Sequence, residues 1–415
     1  MSVAARKGAV ARAARRMLAD DRRTALLARW LWAVAGVAFA VHTTVTLLRP
    51  ARQQMSDLGV YIGSVNSWLS GRSLYDFAAV DGAPFTYPPF AGVLFLPTAL
   101  LPAPVTRVLW LTATAAAIVA LSLMAGRRLA PVGVPPALAG AATAAALALS
   151  APVSSNVRFG QVSVLLVALV LADVAGVLPR PLRGVGVGVA AAVKLTPIIF
   201  ILGFVVVRRW RPLAWRAAAT FVVATAVTWW ALPAESERFW LVELWHVERI
   251  GNLASTANQS LNGALLRLGL TDQVRVPTLA ALGAVALALA LARARRLAGQ
   301  GRELPAMVVL GAASLVLSPV SWTHHGAWLV LAAGLAAAAR WRWWWTASTL
   351  AVMTLPVATI PFPPFSEARL LLAAAVAVAL PLGTHVGRGR ECQAPSVMPL
   401  AASDGRSIAL DQHVV

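Results

Sequence analysis

One carboxylate and a few cations carry most of the chemistry available to this sequence. Asp57 lies in the segment QQMSDLGVYIGSVNSWLSG. Lys194, one of only two lysines, sits in the apolar string AAVKLTPIIF. Asn156, Arg158 and Gln161 cluster in SSNVRFGQVS, and His324 and His325 stand side by side after SPVSW. A placed carboxylate can take a proton from a hydroxyl group. Placed cations can stabilise the negative charge that builds on a departing phosphate. A phosphodiester's leaving oxygens are already weakly basic, so no separate acid is required. This residue set therefore suits a transfer reaction with phosphate as leaving group.

Each residue also has a plainer role. Lysines snorkel to membrane interfaces, although a charge at mid-bilayer depth costs at least ~2.5 kcal/mol. SSNVRFGQVS can be an ordinary polar loop, and Asp57 can cap the helix that follows it. The histidine pair can cap a helix, bind a metal or hold a phosphate. No carboxylate neighbours it in sequence, so no metal is assigned there. FTYPPF, with Tyr87, is a rigid aromatic turn that shapes a pocket or starts a span. Walker A and dinucleotide fingerprints are absent, so no nucleotide cofactor is expected.

The elements that must position these groups follow from composition. Of 415 residues, 59% are hydrophobic and only 13% are charged. Ordinary soluble domains have roughly 45–50% apolar and about 25% charged residues. Mean hydropathy is +0.72. A soluble protein of this size would lack the polar groups to cover its surface. That excludes a cytosolic globular enzyme, a disordered chain and a soluble nucleic-acid binder. It leaves an all-α, polytopic membrane bundle. Lys plus Arg is 36 against 16 acidic residues, a net charge of +20, and the pI is near 11.8. The arginines fall in short runs between apolar segments, as cytoplasmic loops do, so no nucleic-acid partner is expected. The single cysteine, Cys392, allows no internal disulfide.

Three regions are expected: a basic cytoplasmic tail over 1–29, a membrane domain over 30–384 and a polar cytoplasmic tail over 385–415. The first span runs from about Trp30 to Leu48. Further apolar segments fall at Phe90–Leu101, Val105–Ala125, Val132–Ser150, Val162–Leu178, Val185–Val193 with Pro197–Val207, and Ala214–Leu232. The rest are Pro277–Ala292, Pro305–Leu317, Gly326–Ala339, Trp343–Ile360 and Arg369–Leu382, giving about 11–13 spans. Arg180/Arg183, Arg208/Arg209/Arg211, Arg293/Arg295/Arg296, Arg340/Arg342 and Arg388/Arg390 are expected inside. The stretches 49–89, 233–276, 318–325 and 361–367 are expected outside. Between Arg183 and Arg208 the chain must go out and back in too few residues for two full spans. Two half-helices meeting near Lys194–Pro197 satisfy that constraint. Phe90–Leu101 reads either as a full span, which puts Arg127/Arg128 outside, or as re-entrant, which puts them inside. After Asp57, the spacing of Leu58, Ile62, Val65 and Leu69 predicts a short outer-face helix lying on the membrane.

In these pieces the chain resembles the polytopic GT-C glycosyltransferases, and among them family 87 of actinobacteria. The matching segments are SDLGVY, WLSGRSLYD, FTYPPFAGVLF, FGQVSVLLVALVLAD, VKLTPIIF, NQSLNG and SPVSWTHHGAW, in family order. The resemblance implies a plasma-membrane enzyme with an extracytoplasmic active site. It implies a polyprenyl-phosphate-mannose donor and a mannosylated glycolipid or lipoglycan acceptor. Asp57 would be the base, acting with inversion to give an α linkage. By position, Lys194, Arg158, His324 and His325 would contact the donor phosphate. Asn156, Gln161, Tyr87, Asn258, Gln259 and Asn262 would hold sugar or acceptor. Thr323 stands where family members often carry an acid. A decaprenyl-phosphate-arabinose-dependent arabinofuranosyltransferase shares this architecture. A transporter of an anionic lipid-linked sugar would account for Lys194 and Arg158 without needing Asp57.

Overall fold

A computed structural model describes residues 3–129, 134–335 and 342–379. Arg340, Arg388, Arg390, Cys392 and the tail expected over 385–415 lie outside the described residues. So do parts of the spans expected at Val132–Ser150, Gly326–Ala339 and Arg369–Leu382. The described chain is all-helical, with one isolated bridge, Ala78 to Pro84, as its only strand-like pairing.

Helix α1 (Val3–Leu47) runs unbroken through position 29, so the expected tail and first span form one rod. A 3-10 turn over Ala51–Gln53 leads to α2 (Ser56–Leu69). Next come α3 (Pro89–Ala99), α4 (Ala103–Leu129), the bent pair α5 (Pro136–Leu149) and α6 (Ala151–Phe159), and α7 (Ser163–Ala175). The half-helices α8 (Val185–Val193) and α9 (Ile198–Val206) follow, then α10 (Arg211–Ala231), α11 (Pro233–Leu241) and α12 (Leu261–Arg267). The chain continues through α13 (Asp272–Gly299), α14 (Glu303–Leu317), α15 (Ala327–Ala332) and α16 (Arg342–Thr354). Helix α17 (Ala368–Ala374) passes into a π turn ending at Ala379. Three helical segments are long and apolar enough to cross a membrane: 21–47, 103–128 and 272–299. The α5–α6 pair, bent by 58°, makes a fourth if it is one span. Shorter apolar helices occupy several of the other expected spans, including α7, α14 and the α17 region.

Helix α14 is the apolar axis. Most of its residues, from Leu304 to Val316, are buried. Branched and aromatic residues face outward on the peripheral helices, including Val34, Val37, Val41 and Val45 on α1 and Val222, Val223, Val227 and Trp230 on α10. A continuous apolar exterior of that kind is the surface of a protein solvated by lipid. Small residues let neighbours approach closely. A Cβ on Gly188 of α8 would stand 2.5 Å from the Ala217 carbonyl oxygen of α10.

The structure bears on the two readings of Phe90–Leu101. Its 11 residues reach about 16 Å at 1.5 Å each, too short for a ~30 Å core. Glu303 pairs with both Arg128 (3.0 Å) and Arg209 (3.2 Å), which places Arg127/Arg128 at the same end as the Arg208–Arg211 run. A short α3 and a shared end for these arginine runs are what the re-entrant alternative expects. Helix α2 departs from expectation. Leu58 and Val65 do not lie on a membrane surface but are buried within the protein, packed with α3 and α6, while Leu69 is exposed. The three- and four-residue spacing identified an apolar face correctly, but that face covers protein instead of lipid.

Candidate active site

Asp57 owes its position to a backbone turn. Met55, just before α2, is buried and adopts φ 51°, ψ 52°, a left-handed conformation uncommon for a side-chain-bearing residue. Its amide donates to the Arg158 carbonyl (3.1 Å), which fastens the start of α2 to the end of α6. Gly160 closes α6 at φ +68°, where a Cβ would stand 2.7 Å from Leu58 Cβ and 2.9 Å from Met55 Cβ. Glycine at this position lets the FGQ turn press against α2.

That turn delivers Gln161. Its Nε2 donates to Asp57 Oδ2, and Ser56 Oγ donates to Asp57 Oδ1 (3.2 Å). The Gln161 carbonyl oxygen faces the hydroxyls of Tyr61 (3.2 Å) and Tyr87 (3.1 Å), which also bond each other at 2.9 Å. The phenols fix which way the Gln161 amide points, and the amide fixes the carboxylate. Burial pushes Asp57 above the ordinary carboxylate range; the bonds from Gln161 and Ser56 and the charge of Lys194 pull it back part of the way. Burial also holds the Tyr61 and Tyr87 phenols well above their usual range, so both remain neutral donors.

Lys194 comes from the break between α8 and α9. The chain leaves helical geometry at Lys194 (φ −149°, ψ 129°) and re-enters after Pro197. The expected half-helix junction is thus where the helix breaks. Lys194 Nζ lies 2.8 Å from His325 Nε2 and 5.1 Å from the centre of the Tyr87 ring. His325 Nδ1 accepts from the Trp322 amide (3.2 Å). His324 is buried at 4% exposure, and neither ring nitrogen has a partner among the described residues. Asp57, Tyr61, Tyr87, Gln161, Lys194, His324 and His325 all line one cavity of about 530 Å³. Its other walls include Ile198, Ile199, Leu202, Leu287 and Leu317 from α9, α13 and α14.

Other residues singled out in the sequence lie elsewhere. Arg158 is exposed, stacks on Phe159 at 4.9 Å and does not line the cavity. Asn156 is buried and accepts from the Val164 amide (3.2 Å), holding the turn that carries Gln161. Asn258, Gln259 and Asn262 are also buried outside the cavity lining. Asn258 Oδ1 accepts from the Ser321 amide (2.9 Å), and Asn262 Nδ2 donates to the Pro319 carbonyl (3.2 Å). Gln259 Nε2 donates to the Ser366 carbonyl (2.7 Å), and its Oε1 accepts from the Arg369 amide (3.1 Å). These amides are bonded mainly to backbone, with Asn262 Oδ1 accepting from Arg275, so NQSLNG clamps the SPVSW loop that presents the histidines. Thr323 accepts from Arg369 Nη1 (3.1 Å). Among the described residues, no group of three or more His, Cys, Asp or Glu side chains gathers as a metal site.

Sequence reasoning missed Tyr61 and the contribution of Glu243, His246 and Arg249 to the cavity. Only three tyrosines occur in the chain, and all three gather here: Tyr75 Oη donates to the Tyr87 carbonyl (3.0 Å). Tyr61 lies one turn beyond Asp57, a spacing that points both side chains to one helix face. On the loop after α11, Glu243, His246 and Arg249 also line the cavity. Arg238 ties this loop down by bonding Asp76 (2.6 Å) and Glu243 (2.8 Å), and Arg249 pairs with Glu243.

A partly buried carboxylate, a lysine with two histidines and apolar walls line one cavity, a set that can take up a hydroxyl beside a phosphate carried on a long apolar chain. Comparison with known proteins points the same way. The model of glycosyltransferase family 87 matches residues 85–319, a stretch that contains Tyr87, Gln161 and Lys194 but stops short of Asp57 and the histidines. A protein of Mycobacterium tuberculosis named polyprenol-phosphate-mannose-dependent alpha-(1-2)-phosphatidylinositol mannoside mannosyltransferase is 34% identical over 335 residues, 75% of this chain and 76% of its own. Its namesake in Mycolicibacterium smegmatis is 37% identical over 332 residues, 73% of this chain and 75% of its own. A second M. smegmatis protein, named for the phosphatidylinositol pentamannoside reaction, is 34% identical over 301 residues, 71% of this chain and 72% of its own. No solved structure matches the chain. With a family model covering more than half of the sequence and relatives about a third identical over nearly three quarters of it, the chain belongs to glycosyltransferase family 87.

Proposed function

We propose that this protein transfers mannose from a polyprenyl-phosphate carrier to a hydroxyl of a phosphatidylinositol-mannoside-type glycolipid, at the outer face of the plasma membrane. The observation that carries this reading is that Asp57 and Lys194, far apart in sequence, line the same cavity. Asp57 takes the proton of the acceptor hydroxyl as its oxygen bonds to the anomeric carbon. The bond from that carbon to the phosphate oxygen breaks, and its electron pair leaves with polyprenyl phosphate. Attack opposite the leaving group inverts a β-linked donor to an α-linked product. Lys194 and the ring N–H of His324 receive the phosphate, and the apolar walls from α9, α13 and α14 take the prenyl chain. Gln161 and the two phenols are positioning residues for Asp57. The relatives' names support the donor and the acceptor class.

The test is to incubate purified protein in liposomes with labelled polyprenyl-phosphate mannose or decaprenyl-phosphate arabinose, plus a phosphatidylinositol mannoside. Labelled product from the mannose donor alone is expected. Product from the arabinose donor alone, or movement of donor across the bilayer without transfer, would overturn the reading.

A further inference from the structure

The turn that delivers Gln161 to Asp57 also carries Ser163, which opens α7 and lines a second cavity. This cavity, of about 40 Å³, adjoins the main one and shares Lys194, Thr196, Ser314, Ser318 and His325 with it. Ser163, Ser321 and apolar side chains, Phe200 and Trp328 among them, complete its walls. Ser163 is 6% exposed, and its Oγ is buried with no hydrogen-bond partner among the described residues. The other three serines spend their hydroxyl protons on backbone. Ser314 donates to the Gly311 carbonyl, Ser318 to that of Val320 and Ser321 to that of Leu315, each at 2.7 Å. What those hydroxyls still offer is acceptor lone pairs.

Lys194 has the opposite need. An ammonium carries three N–H donors, and at most one of them meets His325 Nε2, 2.8 Å away. No acid pairs with Lys194 among the described residues. A charge inside an apolar bundle is costly until its donors are satisfied. The proposed donor phosphate answers that need in the main cavity. In the smaller one, the occupant must accept from the ammonium and donate to hydroxyl oxygens. Chloride cannot donate. A metal cation cannot accept, and it would face the lysine's charge. Water does both, and a polar cavity of this size has room for it, since one water needs about 10–15 Å³.

We infer that this second cavity is a buried water site, anchored by Ser163, that hydrates the Lys194 ammonium and keeps it charged and aimed at the donor phosphate. This rests on the reading of Lys194 as a phosphate contact and adds the device that sustains it. Ser163 is a positioning residue, acting on Lys194 through water. One short stretch, FGQVS, then serves both halves of the reaction: Gln161 holds the base, and Ser163 supports the cation.

The experiment compares Ser163→Val with Ser163→Thr, two side chains of nearly one shape that differ by a hydroxyl. Binding of farnesyl phosphate to the full-length protein in neutral detergent is measured as pH rises. The valine variant is expected to raise Kd by about tenfold or more over the threonine variant, the size of a lost hydrogen bond to a charged group. It should also lose binding at a lower pH, because a less hydrated ammonium gives up its proton sooner. The threonine variant should stay near wild type in both respects. The other titratable groups around Lys194 are Asp57, Tyr87, His324 and His325, and neither substitution alters them. Equal Kd values and equal pH limbs for the two variants overturn the inference and leave Ser163 a packing residue. A density map that resolves ordered water gives a readout independent of activity. Water within hydrogen-bonding distance of Ser163 Oγ and Lys194 Nζ is expected; a dry or ion-filled cavity overturns the inference. Lys194→Ala tests the underlying reading separately. If that variant binds farnesyl phosphate as wild type does, the phosphate role of Lys194 fails, and the water map alone decides whether the site exists.

Discussion

At the scale of single residues, the proposed chemistry depends on a carboxylate whose state is set by its neighbours. A general base contributes about 10²–10⁴-fold, so Asp57→Asn should lose that much kcat while the protein still inserts. The base works only when ionised. Burial raises Asp57, so activity should fall, as pH drops, through a pKa above the usual ~3.9. Gln161 donates to the ionised form and lowers that pKa. Gln161→Leu should therefore move the acid limb of the kcat/KM profile upward; an unmoved limb would detach Gln161 from the base. Lys194→Ala removes a charge-assisted phosphate contact worth about 1.5–3 kcal/mol, a loss of roughly ten- to more than a hundredfold in rate. Steady-state kinetics on reconstituted protein measures each. The acid, the lysine and the histidines were legible as costly polar groups in an apolar chain. The tyrosine–glutamine network was not, because side chains that bond across 74 or 100 positions leave no local spacing to read.

At the scale of elements, the site is held by turns. Gly160→Ala puts a side chain at φ +68° and into Met55 and Leu58. The expected outcome is a loss of stability of about 1 kcal/mol or more, with a larger proportional fall in kcat, because α2 carries Asp57. Thermal melting and turnover on the same samples separate the two effects; full activity would mean that the α2–α6 contact does not position the base. The α8–α9 break was legible because Pro197 and two arginine runs leave the chain too few residues for anything else. The clamp formed by NQSLNG was not legible in its sequence, which also suits a sugar contact. Amides cluster at substrate sites and at buried backbone alike, and the bonds to the Pro319 carbonyl and the Ser321 amide become visible only in the fold. The buried face of α2 was misread for a similar reason: a helical apolar stripe does not say whether protein or lipid will cover it.

At the scale of the whole molecule, composition alone gave the membrane bundle, and the arginine runs gave a proposed orientation. The Arg128–Glu303–Arg209 cluster marks one end of the bundle. The site loops are proposed to mark the other. In a Cys392→Ser background, Val80→Cys, on an exposed loop near the site, should react with an impermeant maleimide on intact cells. Arg209→Cys should react only after permeabilisation, and the reverse pattern would invert the topology.

The central claim is that Asp57 removes the acceptor proton beside a phosphate held at Lys194. Its most direct test is single-turnover transfer by Asp57→Asn with donor already bound at saturation. Donor binding is expected close to that of wild type, with a chemical step slowed by about 10²–10⁴-fold. A chemical step within a few-fold of wild type, with donor bound equally well, would contradict it.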